Sequence, residues 1–160
     1  MRETTLEVKL QSGAWDEQLE RLYGTESLET ARRRCGHVLR RFTETFQGAP
    51  EALFSAPGRT ELGGNHTDHQ HGRVLAASIN LDLLAAAAPN QSGIIRVQSE
   101  GYPLITVDLR ELSPKPEERN TTAALIRGVA ARMQALGCPL EKAGLDAYII
   151  SDRIESREGH

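Results

Sequence analysis

The sequence predicts an α+β fold: a mixed sheet with helices packed on one face, preceded by a helical segment. Three observations predict it. The first fifty residues set apolar side chains at helical spacing, residues from 51 onward hold several short β-rich runs separated by glycine and proline turns, and one more helical stripe precedes the last run. At 160 residues the chain is long enough for a core of its own, one that buries about 70% of the unfolded-chain surface.

The elements follow in order. Ala14–Tyr23 places Trp15, Leu19, Leu22 and Tyr23 on one helical face, and Gly24 closes it. From Glu26 to Phe46 a longer stripe of Leu28, Ala31, Cys35, Val38, Leu39, Phe42 and Phe46 predicts the most secure helix, stopped by Gly48 and Pro50. Its other face carries Arg32, Arg33, Arg34, Arg40 and Arg41, which reads as a solvated helix face. Leu53–Pro57 reads as a short strand, followed by a polar stretch punctuated by Gly58, Gly63, Gly64 and Gly72. Val74–Ala88 is ambiguous: four alanines favour helix, whereas Ile79, Leu81 and Leu83 alternate with Asn80 and Asp82 as in a half-buried strand, and strand is the expectation over 79–88. Ile94–Ser99 and Leu104–Leu109 read as a hairpin with Glu100–Pro103 at its tip. Asn120 or Thr121 caps a helix with apolar positions Leu125, Ile126, Val129, Met133 and Leu136, ended by Gly137 and Pro139. Ala147–Ile150 is a last strand. The expected organisation is a helical segment over 1–50, a ligand-binding part over 51–152 and a polar tail over 153–160.

Composition narrows the function classes. The chain has 19 Lys and Arg against 22 Asp and Glu, a formal charge of −3 and 4% aromatic residues, so neither a basic field nor a stacking surface for nucleic acid is expected. No apolar run reaches the roughly 20 residues needed to span a bilayer, and no membrane partner is expected. Cys35 and Cys138 make no disulfide framework, which points to a reducing cytoplasmic setting.

The chemistry concentrates in Ala56-Pro57-Gly58-Arg59-Thr60-Glu61-Leu62-Gly63-Gly64-Asn65-His66-Thr67-Asp68-His69-Gln70-His71-Gly72. This stretch offers one fixed cation, two carboxylates, three imidazoles and glycines that let backbone approach closely. Two site types fit. His66, Asp68, His69 and His71 are four donors suited to zinc or another divalent ion in a metal-dependent hydrolase. Alternatively, Asp68 accepts hydrogen bonds from two sugar hydroxyls, imidazole and amide groups complete a polar ring, and Arg59 meets phosphoryl charge. A polar turn without chemistry is the third possibility.

The same stretch resembles the galactokinase signature of the galactokinase, homoserine kinase, mevalonate kinase and phosphomevalonate kinase superfamily, written A-P-G-R-V-N-L-I-G-E-H-T-D-Y. Ala56, Pro57, Gly58, Arg59, Leu62, Gly64, His66, Thr67 and Asp68 stand in register with it. The resemblance implies the N-terminal part of the superfamily's kinase fold and ATP-dependent phosphorylation of galactose, or a related hexose, at its anomeric hydroxyl. It implies that Arg59 lies beside the reacting hydroxyl and that His66 and Asp68 bind the sugar. Asn65 stands where the family has a sugar-binding Glu and His69 where it has Tyr, so both sugar-facing contacts change character. A sugar-sensing relative without turnover is the alternative that these departures suggest.

ATP and Mg²⁺ are the cofactors that the resemblance implies for a longer protein. The superfamily's glycine- and serine-rich nucleotide loop and its catalytic Asp have no counterpart in these 160 residues. The expectation is therefore a truncated N-terminal part that holds no tightly bound cofactor, lacks turnover by itself, and self-associates through surface left open.

Overall fold

The computed structural model describes residues 5–64, 72–140 and 143–151. Its class is the predicted one, α+β with a five-stranded mixed sheet. The strands are β1 (Ala52–Gly63), β2 (Leu75–Pro89), β3 (Ile94–Ser99), β4 (Ile105–Asp108) and β5 (Leu145–Ser151), in the order β1-β2-β5-β3-β4. β5 is central, antiparallel to β2 and parallel to β3, and β3 and β4 form the expected hairpin.

Three helices cover one face of the sheet. α1 (Thr5–Gln11) precedes those expected, and its Leu6 and Leu10, one turn apart, are both buried. α2 (Asp16–Tyr23) ends at Gly24, whose φ of 86° suits glycine. α3 (Leu28–Phe46) follows a 3₁₀ turn over Thr25–Ser27 and buries Ala31, Cys35, Val38, Leu39 and Phe42, as its stripe predicts. It stops one residue before the expected glycine: Gln47 takes the left-handed conformation and its amide closes on the Thr43 carbonyl.

The alanine run of β2 is strand because of what covers it. Leu84, Ala86 and Ala88 join Tyr148 and Ile150 of β5 in one core with the residues of α1, α2 and α3. Small side chains let the helical layer lie close to the sheet, and tertiary packing overrides the helix propensity of alanine.

The opposite face carries a second, smaller core of Ala87, Val97 and Ala147, against which Ile126 of α4 (Thr122–Ala135) packs. α4 is capped by Thr121, whose hydroxyl accepts from the Ala124 amide. Its buried Arg127 binds Glu118 through two nitrogens at 2.8 and 2.7 Å. The predicted apolar stripe of α4 is only partly used: Leu125, Val129, Met133 and Leu136 are exposed. They stand off because α4 meets the sheet beside short β4, with Ile126 and Ala130 turned inward. No described helix is long and apolar enough to cross a membrane.

Candidate functional site

The first half of the signature is a strand, not a polar turn. β1 runs unbroken through Ala56–Gly63, six residues past the expected strand end at Pro57, because β2 continues opposite it. The glycines leave the strand's form hard to read, since only Leu62 among residues 58–64 is apolar. Pairing is regular from Ala52↔Ala87 to Pro57↔Asp82, shifts, resumes from Arg59↔Ser78 to Glu61↔Ala76, and shifts again before Gly63↔Leu75. The distal half projects as a two-stranded ribbon: Arg59 to Gly63 are all exposed, as are Leu75, Ala76, Ser78 and Asn80.

Two glycines of the signature serve the ribbon itself. Gly64 has φ +86°, and a Cβ there would overlap the Arg73 carbonyl oxygen. Gly58 lies at the register shift, where a Cβ would sit 3.2 Å from the Ile79 side chain and from the Leu81 carbonyl. The close approach that these glycines permit is thus to the neighbouring strand.

Arg59 projects from the ribbon with 76% of its side chain exposed, and Glu61 Oε1 lies 4.0 Å from its Nη2. An exposed pair at that distance is weak and leaves the guanidinium able to meet an anion. Asn65, His66, Asp68, His69 and His71 lie outside the described residues. Among the described residues no group of three or more His, Cys, Asp or Glu could hold a metal ion.

At the ribbon's root lies a group that the sequence reading placed wrongly. The alternation of residues 79–83 predicts Asp82 outward and Leu83 inward, whereas Asp82 is 5% exposed and Leu83 47%. The even-numbered side chains of β2 face the helices because Leu84, Ala86 and Ala88 fix the register. Asp82 is tolerated there because partners from three elements satisfy it. Arg34 Nη2 donates to Oδ1 at 2.7 Å, and the Tyr23 hydroxyl donates to Oδ2 at 2.5 Å, as does the Ser55 hydroxyl.

Burial pushes the Asp82 pKa up, but hydrogen bonds from Ser55, Tyr23 and Arg34 and the charge of Arg34 outweigh it, leaving the carboxyl below its ordinary value. A depressed folded-state pKa contributes stability above the unfolded-state value and loses it as pH falls through the folded one. Thermal melts are therefore expected to hold steady to about pH 5 and to fall more steeply below about pH 4 in the native chain than in Asp82→Asn.

The arginine face of α3 is accordingly more than solvated. Arg34 holds Asp82, Arg32 pairs with Asp16, and Arg41 Nε donates to the Tyr148 hydroxyl at 3.1 Å. Their partners come from distant segments, so helical periodicity alone carried no sign of them.

Residues 40–89, from the end of α3 through β1 and β2, match the family model described as the galactokinase galactose-binding signature. A galactokinase of Streptomyces coelicolor is 31% identical over 117 residues, which are 73% of this chain and 30% of that protein. The chain is a relative of the galactokinases. A second curated relative, the galactokinase of Lacticaseibacillus casei, is 32% identical over 113 residues, 70% of this chain and 29% of its own length. The galactokinase of Lactococcus lactis, solved in complex with galactose, superposes with a TM-score of 0.62 and 26% identity, covering 75% of this chain and 31% of that one. The mevalonate kinase of Methanococcus jannaschii shares the fold, with a TM-score of 0.51 and 18% identity over 68% of this chain and 34% of that one. This galactokinase relative thus spans about a third of the length of the proteins it matches.

Proposed function

We propose that residues 51–152 form the sugar-recognition part of a galactokinase-type enzyme and that the ligand is galactose or a closely related hexose. The observation that carries this reading is the galactose-binding signature over residues 40–89, part of it on a projecting ribbon that leaves the Arg59 cation in solvent. ATP-dependent phosphorylation of the anomeric hydroxyl is the reaction that this part serves.

In that role Asp68 accepts hydrogen bonds from sugar hydroxyls, and His66, with Asn65 and His69, completes the polar ring. Selectivity comes from the cost of leaving a desolvated acceptor unpaired when a hydroxyl is missing or epimerised. Arg59, always protonated, favours alkoxide character at the reacting hydroxyl and charge on the incoming phosphoryl group. ATP and Mg²⁺ would supply the phosphoryl donor. The described residues do not fit them: α2 follows Ser12–Trp15 with one glycine, α3 follows Gly24 and the Thr25–Ser27 turn, and α4 follows Lys115–Thr121, none of them a glycine-rich phosphate cradle. No step through the nucleotide is therefore assigned to these residues. Self-association belongs to the same reading, supported by the exposed Leu125, Val129, Met133 and Leu136 of α4; a monomer by sedimentation would remove it.

The experiment is calorimetric titration of the full chain with galactose. Asp68→Ala is expected to weaken binding about 10- to 100-fold, the size of a lost hydrogen bond to a charged group. Arg59→Ala should leave sugar affinity within about threefold, because its charge serves the phosphoryl group. Binding indifferent to Asp68→Ala, or zinc retained through purification and lost in His66→Ala, would defeat the sugar reading and favour the hydrolase.

A further inference from the structure

The root of the ribbon poses a mechanical problem. Helical packing ends near Leu53 and Leu84, pairing shifts just after Pro57↔Asp82, and beyond that point β1 is exposed. A two-stranded ribbon with an irregular root and no covering layer is free to swing, and a lone hairpin is marginal in water. Asp82 stands at the last regular pair before the shift.

Its carboxylate is where four elements meet: Tyr23 closes α2, Arg34 lies on α3, Ser55 immediately precedes the signature on β1, and Asp82 itself is on β2. An apolar residue of similar volume would hold helices to sheet without the desolvation cost of a buried charge. Apolar contact, however, is non-directional, whereas hydrogen bonds weaken steeply when bent. Three of them converging on two oxygens fix an orientation as well as a contact. Ser55 lies four residues before Arg59 on the same strand, so the bond to Ser55 anchors the segment that carries the cation.

We propose that Asp82 is a positioning residue for the sugar site: with Tyr23, Arg34 and Ser55 it fixes the direction in which the β1–β2 ribbon leaves the helical layer, and hence where Arg59 and the following signature residues stand. This rests on the sugar-site reading above. Asp82 touches no substrate in this account and acts through Ser55 and the ribbon.

The test compares the native chain with Asp82→Asn, Tyr23→Phe, Ser55→Ala and Ser55→Thr by amide hydrogen exchange and galactose titration. Tyr23→Phe and Ser55→Ala each remove one hydroxyl and keep the chain folded even if Asp82→Asn does not. The expected result is exchange about tenfold faster over residues 56–63 and 75–81 in Ser55→Ala and Tyr23→Phe, with β3 and β4 within about twofold of native. Galactose affinity should fall about three- to tenfold in the same variants. Ser55→Thr, which keeps the hydroxyl, should restore both. A uniform loss of protection across the sheet, or failure of Ser55→Thr to rescue, would overturn the proposal and leave Asp82 a general stabiliser. Absence of galactose binding by the native chain would defeat the sugar reading instead, while ribbon exchange would still decide whether Asp82 orients the ribbon.

Discussion

Truncating Phe42 to alanine is expected to remove about 3–5 kcal/mol of stability, the range for a fully buried phenylalanine. Phe42 is 1% exposed, at the centre of the core that joins α1, α2 and α3 to β2 and β5, and its ring centroid lies 5.0 Å from that of Phe46. The cavity left behind would be lined by side chains already held between a helical layer and a sheet, which limits collapse. Because domains of this size are stable by about 5–15 kcal/mol in total, the loss should shift the urea midpoint far without changing its slope. Phe54 is the control: also aromatic but 59% exposed on β1, it should cost less than about 1 kcal/mol on truncation. Equal losses at the two positions would mean that the helical segment is not packed on the sheet as described.

Gly64→Ala is expected to damage the site far more than the fold. The position has φ +86° and faces the Arg73 carbonyl oxygen, so a methyl group there strains the backbone and forces the two strand ends apart. The ribbon is exposed and outside both cores, so the thermal midpoint should move little while galactose affinity falls about tenfold or more. Gly101→Ala is the control: Gly101 has a similar φ of +79° and open space where a Cβ would stand, but it lies between β3 and β4, away from the ribbon, and the substitution should leave galactose affinity unchanged. If Gly64→Ala left galactose affinity unchanged, the ribbon geometry would have no bearing on the sugar.

Legibility in the sequence followed locality. The stripe of α3 and the caps of α2 and α4 were readable because they depend on residues within a turn or two of each other. The signature was readable as a motif but not as a strand, since its glycines hide the alternation and its pairing partner begins only at Leu75. Asp82 was illegible for a related reason. Period-two alternation gives two faces but not which of them meets the helices, and that is decided by Leu84, Ala86 and Ala88 packing under α3. The α3 arginines read as a solvated face because their partners are remote: Asp82 lies 48 positions from Arg34, and Tyr148 107 from Arg41.

The most direct test of the central claim, that this chain recognises galactose through its signature ribbon, is a residue-resolved NMR titration with galactose and, separately, with its C4 epimer glucose. Galactose is expected to shift the amides of residues 56–64 and 72–78 and to leave those of α4 still, whereas glucose at the same concentration should shift the ribbon amides far less. Equal responses to both sugars, or galactose shifts confined to the exposed face of α4, would contradict it.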